Sequence, residues 1–195
     1  MLVLVITIGS YAQLEDRRGY IGMTLGSAIP LGDFADNNFD NEDAGLAKTG
    51  INFNLVHFGY KFSKNFGIAA SWFGAAHEVD IPYNIDAGAW SYGGLFAGLL
   101  VSLPAGEKLF IEFQPMLGFV AATSPELKEG GLIVMEDQQG SAIGFDLVGS
   151  VRYNFAERWC AMANIDYLTA KPEFDYFEQS ISALNLSLGL AYRLK

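Results

Sequence analysis

The residue types that most often carry acid–base, nucleophilic or metal chemistry are sparse in this chain. There are two histidines and one cysteine among 195 residues. His57 lies within one predicted strand, and His77 lies at the end of the next one, beside Glu78. Catalysis needs such groups to converge, and the spacing brings no partner set to either histidine, so we expect no catalytic residues. Cys160 alone can form neither an internal disulfide nor a cysteine metal site.

An acidic run is the second feature with candidate chemistry. Positions 33 to 43 are dense in carboxylate and amide oxygens, and the acids are Asp33, Asp36, Asp40, Glu42 and Asp43. Hard cations such as Ca²⁺ take about six to eight oxygen ligands. The run does not match the spacing of an EF-hand loop. A solvated acidic loop is therefore favoured, and a cation-binding loop is the alternative.

Charged residues also occupy alternate positions inside predicted strands, opposite apolar neighbours. They are Glu112, Asp146, Arg152, Asp166 and Arg193. Buried charges are tolerated when they are paired, so these three acids and two bases are expected to meet as a network. The elements that carry them decide what this network encloses.

Those elements are strands, because the dominant pattern along the chain has a period of two residues. The clearest case is the C-terminus, where one face carries Leu184, Leu186, Leu188, Leu190, Tyr192 and Leu194. Further alternating segments, clear or noisy, cover residues 21–25, 50–62, 66–72, 90–103, 109–121, 141–155 and 159–167. The sequence therefore predicts eight strands in one all-β domain.

Three irregularities are expected within these strands. The alternation slips near Leu55-Val56, as a β-bulge would produce. A similar slip near Gly93-Gly94 is expected to separate Trp90 and Tyr92 from the apolar face that follows. Pro115 cannot donate a ladder hydrogen bond, so the pairing around it should be interrupted.

The connections alternate between short turns and long loops, which is typical of transmembrane barrels. The long loops are expected at about 28–48, 78–89, 122–139 and 171–180. They contain fifteen acids and only three lysines, Lys48, Lys128 and Lys171. The long loops are therefore expected to form one strongly acidic end of the molecule.

Composition indicates where such a sheet could be stable. Hydrophobic residues make up 51% of the chain, although the mean hydropathy is only +0.21. In water, eight apolar strand faces would expose far more than the few hundred Å² that monomers tolerate, whereas in lipid they are satisfied. Backbone groups in lipid must all be paired, which requires a closed sheet. We predict an eight-stranded antiparallel up-and-down transmembrane β-barrel. The net charge of −10 argues against nucleic acid as a partner.

The N-terminus resembles an export signal. Residues 2–8 form an apolar segment, and Ser10-Tyr11-Ala12 is a small-x-small cleavage pattern before Gln13. The usual basic segment is missing, as a truncated start would explain. A buried first strand is the alternative. We predict a signal peptide over residues 1–12 and a barrel domain over residues 13–195.

The pattern, the signal end SYAQ and the closing strand LNLSLGLAYRL together resemble the small eight-stranded outer-membrane proteins of Gram-negative bacteria. These are the group of OmpX and the OmpA transmembrane domain, and the resemblance covers about residues 19–194. It implies a location in the outer membrane, surrounded by lipid and lipopolysaccharide. Members usually end on an aromatic residue, whereas this chain ends on Leu194-Lys195. Lipid A deacylases of similar fold have a serine two positions after a histidine, where this chain has Gly59 and Val79.

These observations leave three functions in order of preference. The first is a structural or surface-interaction protein that presents acidic extracellular loops to a ligand or protein. The second is a narrow porin that prefers cations, and the third is a lipid-modifying enzyme. Eight strands leave an interior just filled by side chains, so the charged network is expected to plug the barrel rather than line a pore. We expect a monomer without a cofactor.

Overall fold

A computed structural model describes residues 18–81 and 85–195. The strands in chain order are β1 (Gly19–Pro30), β2 (Gly50–Lys61), β3 (Phe66–Glu78), β4 (Ile85–Ala87), β5 (Ala89–Pro104), β6 (Leu109–Thr123), β7 (Leu127–Glu129), β8 (Leu132–Met135), β9 (Gln139–Tyr153), β10 (Trp159–Ala170) and β11 (Ile181–Leu194). The predicted signal segment, residues 1–12, lies outside the described residues.

Eight of these strands form a closed barrel in the order β1-β11-β10-β9-β6-β5-β3-β2. Each is antiparallel to both neighbours, and β11 closes the barrel by pairing with β1 from Gly19↔Leu194 to Pro30↔Ala183. The predicted fold class is confirmed. Within the described parts of the chain, no helix combines the length and the apolar character needed to cross a membrane.

Side chains alternate between a buried interior and an exposed outer surface, as the period of two predicts. In β10, Cys160, Met162 and Asn164 are buried. The outward residues are large and apolar, with exposed fractions of 69% for Leu188 and 74% for Ile143. The outer wall is therefore an apolar band.

Two of the three expected irregularities are present. The pairing of β2 shifts by one residue against both neighbours around Leu55, which confirms the bulge. The pairing between β5 and β6 is interrupted between Gly98↔Met116 and Val101↔Phe113, beside Pro115. Because the bulge reverses the alternation, it turns His57 into the interior.

The expected slip near Gly93-Gly94 is wrong. The pairing of β5 with β3 is continuous from Phe66↔Val101 to Glu78↔Ala89. Trp90 and Tyr92 are both 4% exposed and point into the barrel, in phase with the rest of β5. The prediction failed because it assigned all large apolar side chains to lipid, although a plug in the interior can also bury them.

The connections divide the barrel into two ends. The turn end carries the short connections 62–65, 105–108 and 154–158, and the loop end carries the long connections 31–49, 79–88, 124–138 and 171–180. Strands β4, β7 and β8 form a small separate sheet within the long connections. The first loop, residues 31–49, begins with a short 3-10 helix, Gly32–Ala35.

Candidate functional site

An ion pair lies in the interior at the turn end. Arg152 donates to Oε1 of Glu112 through Nε at 3.0 Å and through Nη2 at 2.8 Å. Glu112 lies near the start of β6 and Arg152 near the end of β9, and the pairing of Glu112 with Ser150 places them close together. Both side chains are almost fully buried. The sequence placed these two charges on one face, and the barrel brings them into contact.

Polar and aromatic residues surround this ion pair. The hydroxyl groups of Tyr20 and Ser102 donate to the two carboxylate oxygens of Glu112, at 2.7 and 2.9 Å. The guanidinium of Arg152 lies 4.4 Å from the ring centroid of Phe110 and 5.0 Å from that of Tyr20. A buried ion pair offsets its desolvation only with such additional hydrogen bonds. The turn end is therefore filled by a connected polar cluster.

Two further interior residues extend this cluster. The side chain of Gln114 donates from Nε2 to the Tyr20 hydroxyl at 3.0 Å and lies 3.4 Å from Nε2 of His57. His57 stacks on Tyr20 with the ring centroids 6.0 Å apart. Neither Tyr20 nor Gln114 was predicted from the sequence to belong to the site. A signal was available, because both share the strand parity of polar or small neighbours.

The loop end is closed by a different kind of packing. Phe34 of the first loop is fully buried inside the barrel. Its ring makes edge contacts with His77, Trp90 and Tyr92, at centroid distances of 5.1, 5.9 and 6.0 Å. The first loop therefore folds back into the barrel and plugs it with an aromatic side chain.

Hydrogen bonds hold the first loop in this position. Nδ1 of His77 lies 2.8 Å from the carbonyl of Lys48, and Nε2 lies 3.0 Å from the Tyr92 hydroxyl. Because a carbonyl can only accept, Nδ1 carries the proton and Nε2 of the neutral ring accepts from Tyr92. The indole of Trp90 donates to the carbonyl of Gly45 at 2.8 Å.

The fourth loop, residues 171–180, packs over the first. Phe174 stacks on Phe177 with centroids 4.7 Å apart and contacts the edge of Trp90 at 5.8 Å. The side chain of Gln179 donates to the carbonyl of Asp43 at 3.0 Å. The loop end is thus a two-layered closure, with one loop inside the barrel and another over it.

The other predicted interior charges lie elsewhere. Asp146 and Asp166 are buried on β9 and β10, closer to the loop end than Glu112. Asp166 accepts a hydrogen bond from Asn185 at 2.7 Å. Arg193 lies at the turn end, where it donates to the backbone carbonyls of Ala156 and Glu157 at 3.5 and 3.0 Å. The five predicted charges therefore occupy three places, and the described ion pairs among them join Glu112 to Arg152.

The five loop acids are not gathered around a common point. In the described residues, no three His, Cys, Asp or Glu side chains are arranged to hold a metal ion. Asp36 instead accepts hydrogen bonds from the side chain of Asn41 at 2.7 Å and the backbone of Asn38 at 2.9 Å. These bonds, chiefly the one from Asn41, lower the pKa of Asp36 below its usual value. The carboxylate of Asp36 is thus used to order the loop.

Several solved structures of outer-membrane proteins have a similar architecture. Neisserial surface protein A has a TM-score of 0.61 at 12% identity, covering 90% of this chain and 97% of its own. The attachment invasion locus protein Ail of Yersinia pestis has a TM-score of 0.55 at 16% identity, covering 91% and 99%. A major outer membrane protein from Thermus thermophilus has a TM-score of 0.52 at 12% identity, covering 90% and 99%. No protein-family model and no curated protein matches the chain.

Identities this low establish the fold alone. The outer surface of the barrel indicates the environment in which this fold is stable. The barrel exposes a continuous band of large apolar residues, including Leu95, Leu99, Leu117, Ile143 and Leu188. Such a band is stable in lipid and not in water, and closure leaves no unpaired strand edge in the wall. This chain is therefore a small eight-stranded β-barrel with the fold of outer-membrane proteins and an outer wall suited to lipid.

Proposed function

We propose that this protein acts as a structural and surface-interaction barrel, whose long loops face the cell exterior. The observation that carries the proposal is that the interior is closed at both ends, by the Glu112–Arg152 cluster at the turn end and by the Phe34 plug at the loop end. A barrel filled in this way presents a rigid wall and an ordered loop surface rather than a passage. Lipid and lipopolysaccharide surround the wall, so the loop surface is left to meet other molecules.

The charge of the loops defines the partner that they favour. Lys48 pairs with Asp80 at 2.8 Å, Lys128 pairs with Glu126, and Lys171 pairs with Glu178. All three loop lysines are therefore engaged by loop acids. The remaining acids attract cations and basic protein surfaces by long-range electrostatics. We infer that the loops bind a basic segment of another protein.

This inference separates the chain from one of its structural neighbours. Ail of Yersinia pestis has been solved in complex with sucrose octasulfate, a heparin analogue. The same polyanion would meet like charge at the loops of this chain. We infer that the shared fold carries a different surface specificity here.

A narrow pore that prefers cations is the second candidate, because the interior contains the carboxyl groups of Asp146 and Asp166, which have no basic partner among the described residues. The Glu112–Arg152 cluster and the Phe34 plug argue against a pore, because they close the interior at its two ends. An enzyme has less support still, since His77 is committed to holding the first loop and His57 is buried against Tyr20. We infer that neither histidine is catalytic.

Single-channel recording in planar bilayers tests the closed interior. We expect the refolded wild-type protein to be silent. Because the two closures lie in series, Arg152→Ala and Phe34→Ala alone should also be silent, and only the double variant should conduct. Folding of each variant is checked by faster migration of the unboiled sample on a gel. Discrete cation-selective steps in the wild type would support the porin instead.

Binding in lipid nanodiscs tests the loop surface. We expect the protein to bind a lysine-rich peptide at low salt and not to bind heparin. The loop variant neutralises exposed acids as Asp40→Asn, Glu42→Gln, Glu136→Gln and Asp137→Asn, and it should bind the peptide less tightly. A matched control, Glu107→Gln with Glu157→Gln at the turn end, should bind like the wild type. Equal binding by both variants would contradict the proposal.

A further inference from the structure

The charges buried in the interior do not balance. Among the described residues, the buried carboxylates are Glu112, Asp146 and Asp166, and the one buried basic side chain other than histidine is Arg152. Arg152 is committed to Glu112 through two hydrogen bonds. Two carboxyl groups, those of Asp146 and Asp166, are left without a basic partner in the described parts of the protein.

The strand register places these two carboxylates together. Asp166 on β10 pairs with Val148 on β9, and Asp146 lies two residues before Val148 on the same face. Such diagonal neighbours are about 7–8 Å apart, within reach of one ion bound between their side chains. Asn185 on β11 lies directly opposite Asp166. Three consecutive strands thus carry oxygen donors on one part of the interior wall.

Several of these oxygens have no partner. Asn185 donates from Nδ2 to Oδ2 of Asp166 at 2.7 Å, which leaves its own Oδ1 free to accept. No described residue hydrogen-bonds to Oδ1 of Asn185, Oδ1 of Asp146 or the hydroxyl of Ser187. Asn185 is 2% exposed, so its oxygen is shielded from bulk water. Buried oxygens of this kind normally have partners.

A shared proton would not complete this arrangement. Protonation would remove one of the two charges and leave the other unbalanced. It would also leave Oδ1 of Asn185 without a donor. A doubly charged cation would balance both carboxylates. It would also accept lone pairs from the neutral oxygens of Asn185 and Ser187.

We propose that Asp146, Asp166 and Asn185 form an interior site for one divalent hard cation of the Ca²⁺ type. All of the donors are oxygens, and Ca²⁺ accepts about six to eight of them in flexible geometry, with water completing the set. Mg²⁺ dehydrates reluctantly and requires stricter geometry, so it fits less well. Because both ends of the barrel are closed, the ion is captured during folding and released slowly.

Metal analysis of refolded protein tests this site. The full chain is refolded from urea in detergent with CaCl₂, separated from free ion by gel filtration, and analysed by inductively coupled plasma mass spectrometry. We expect about one calcium per chain. The isosteric pair Asp146→Asn with Asp166→Asn should retain none, whereas Asp33→Asn with Asp36→Asn in the first loop should retain as much as the wild type.

Thermal unfolding gives a second readout that does not depend on the recovery of the ion. Wild-type protein refolded with calcium should melt at a higher temperature than protein refolded with EGTA, and the Asp146/Asp166 variant should melt equally in both. A wild type that retains no calcium and shows no shift would overturn the site. Retention that is lost only in the first-loop variant would also overturn it, by placing the ion outside the barrel.

Discussion

The two ends of the barrel interior are closed by different physical means. At the turn end, strand residues form a charged cluster around Glu112 and Arg152, whose positions are set by the pairing of β6 with β9. At the loop end, Phe34 from a connection enters an aromatic cage of His77, Trp90 and Tyr92. One closure belongs to the barrel wall, and the other belongs to a loop that must fold separately.

This difference predicts different consequences of mutation. Disrupting the strand-borne cluster leaves a charge inside the barrel and destabilises the whole fold. Disrupting the loop-borne plug releases only the loop, because the barrel ladder does not depend on it. Mutations in the cluster should therefore lower the global stability of the barrel, whereas mutations in the plug should lower only the local stability of the first loop.

The largest effect is expected at the turn end. Glu112→Gln leaves the guanidinium of Arg152 buried without its counter-charge, which should lower the free energy of unfolding by about 3–5 kcal/mol. Urea unfolding in detergent, followed by tryptophan fluorescence, measures this loss. The double variant Glu112→Leu with Arg152→Met removes both charges and should recover much of it. Equal losses in the single and double variants would show that the charge is not the cause.

A smaller and local effect is expected at the loop end. Phe34→Ala removes a fully buried ring, a change that costs about 3–5 kcal/mol where packing is tight. Here the cost should fall on the opening of the first loop, so its amides lose protection from hydrogen exchange while the urea midpoint of the barrel hardly moves. Phe39→Ala in the same loop is the control, because Phe39 is exposed and its loss should change neither quantity. A large fall in the barrel midpoint for Phe34→Ala would remove the distinction between the two closures.

The same contrast explains what the sequence could predict. The alternation in β6, β9 and β10 places Glu112, Asp146, Arg152 and Asp166 inside the barrel, because strand periodicity determines direction. The bulge near Leu55 was predictable from the same rule. Which of these charges are in contact was not predictable from the sequence, because the contacts depend on strand tilt and register around a closed sheet. Arg193 has interior parity but lies at the rim, where the carbonyls of the turn engage it.

The loop-end closure could not be predicted in this way. Phe34 lies in a connection without periodicity, among acids that suggest solvent exposure. Its burial depends on the cage formed by β3 and β5, which are distant from it in sequence. The inward direction of Trp90 and Tyr92 was missed for the same reason, since aromatic side chains fit both a lipid-facing wall and a plugged mouth. Polarity alone did not distinguish these environments.

The smallest effect is expected where the first loop is exposed, at Asp36. Its carboxylate accepts from Asn41 and Asn38, which lowers its pKa below the usual 3.8. A lowered pKa means that the stabilisation of the loop is fully present above pH 3.8 and is lost only as the pH falls through the lowered pKa. The amide proton shift of Asn38 should therefore titrate with a midpoint below 3.8, and Asp36→Asn should abolish that titration. Because Phe34 carries no charge, protection of the loop amides near the plug should persist through this midpoint. A simultaneous loss of both signals would mean that the acidic turn, and not the buried ring, holds the loop in the barrel.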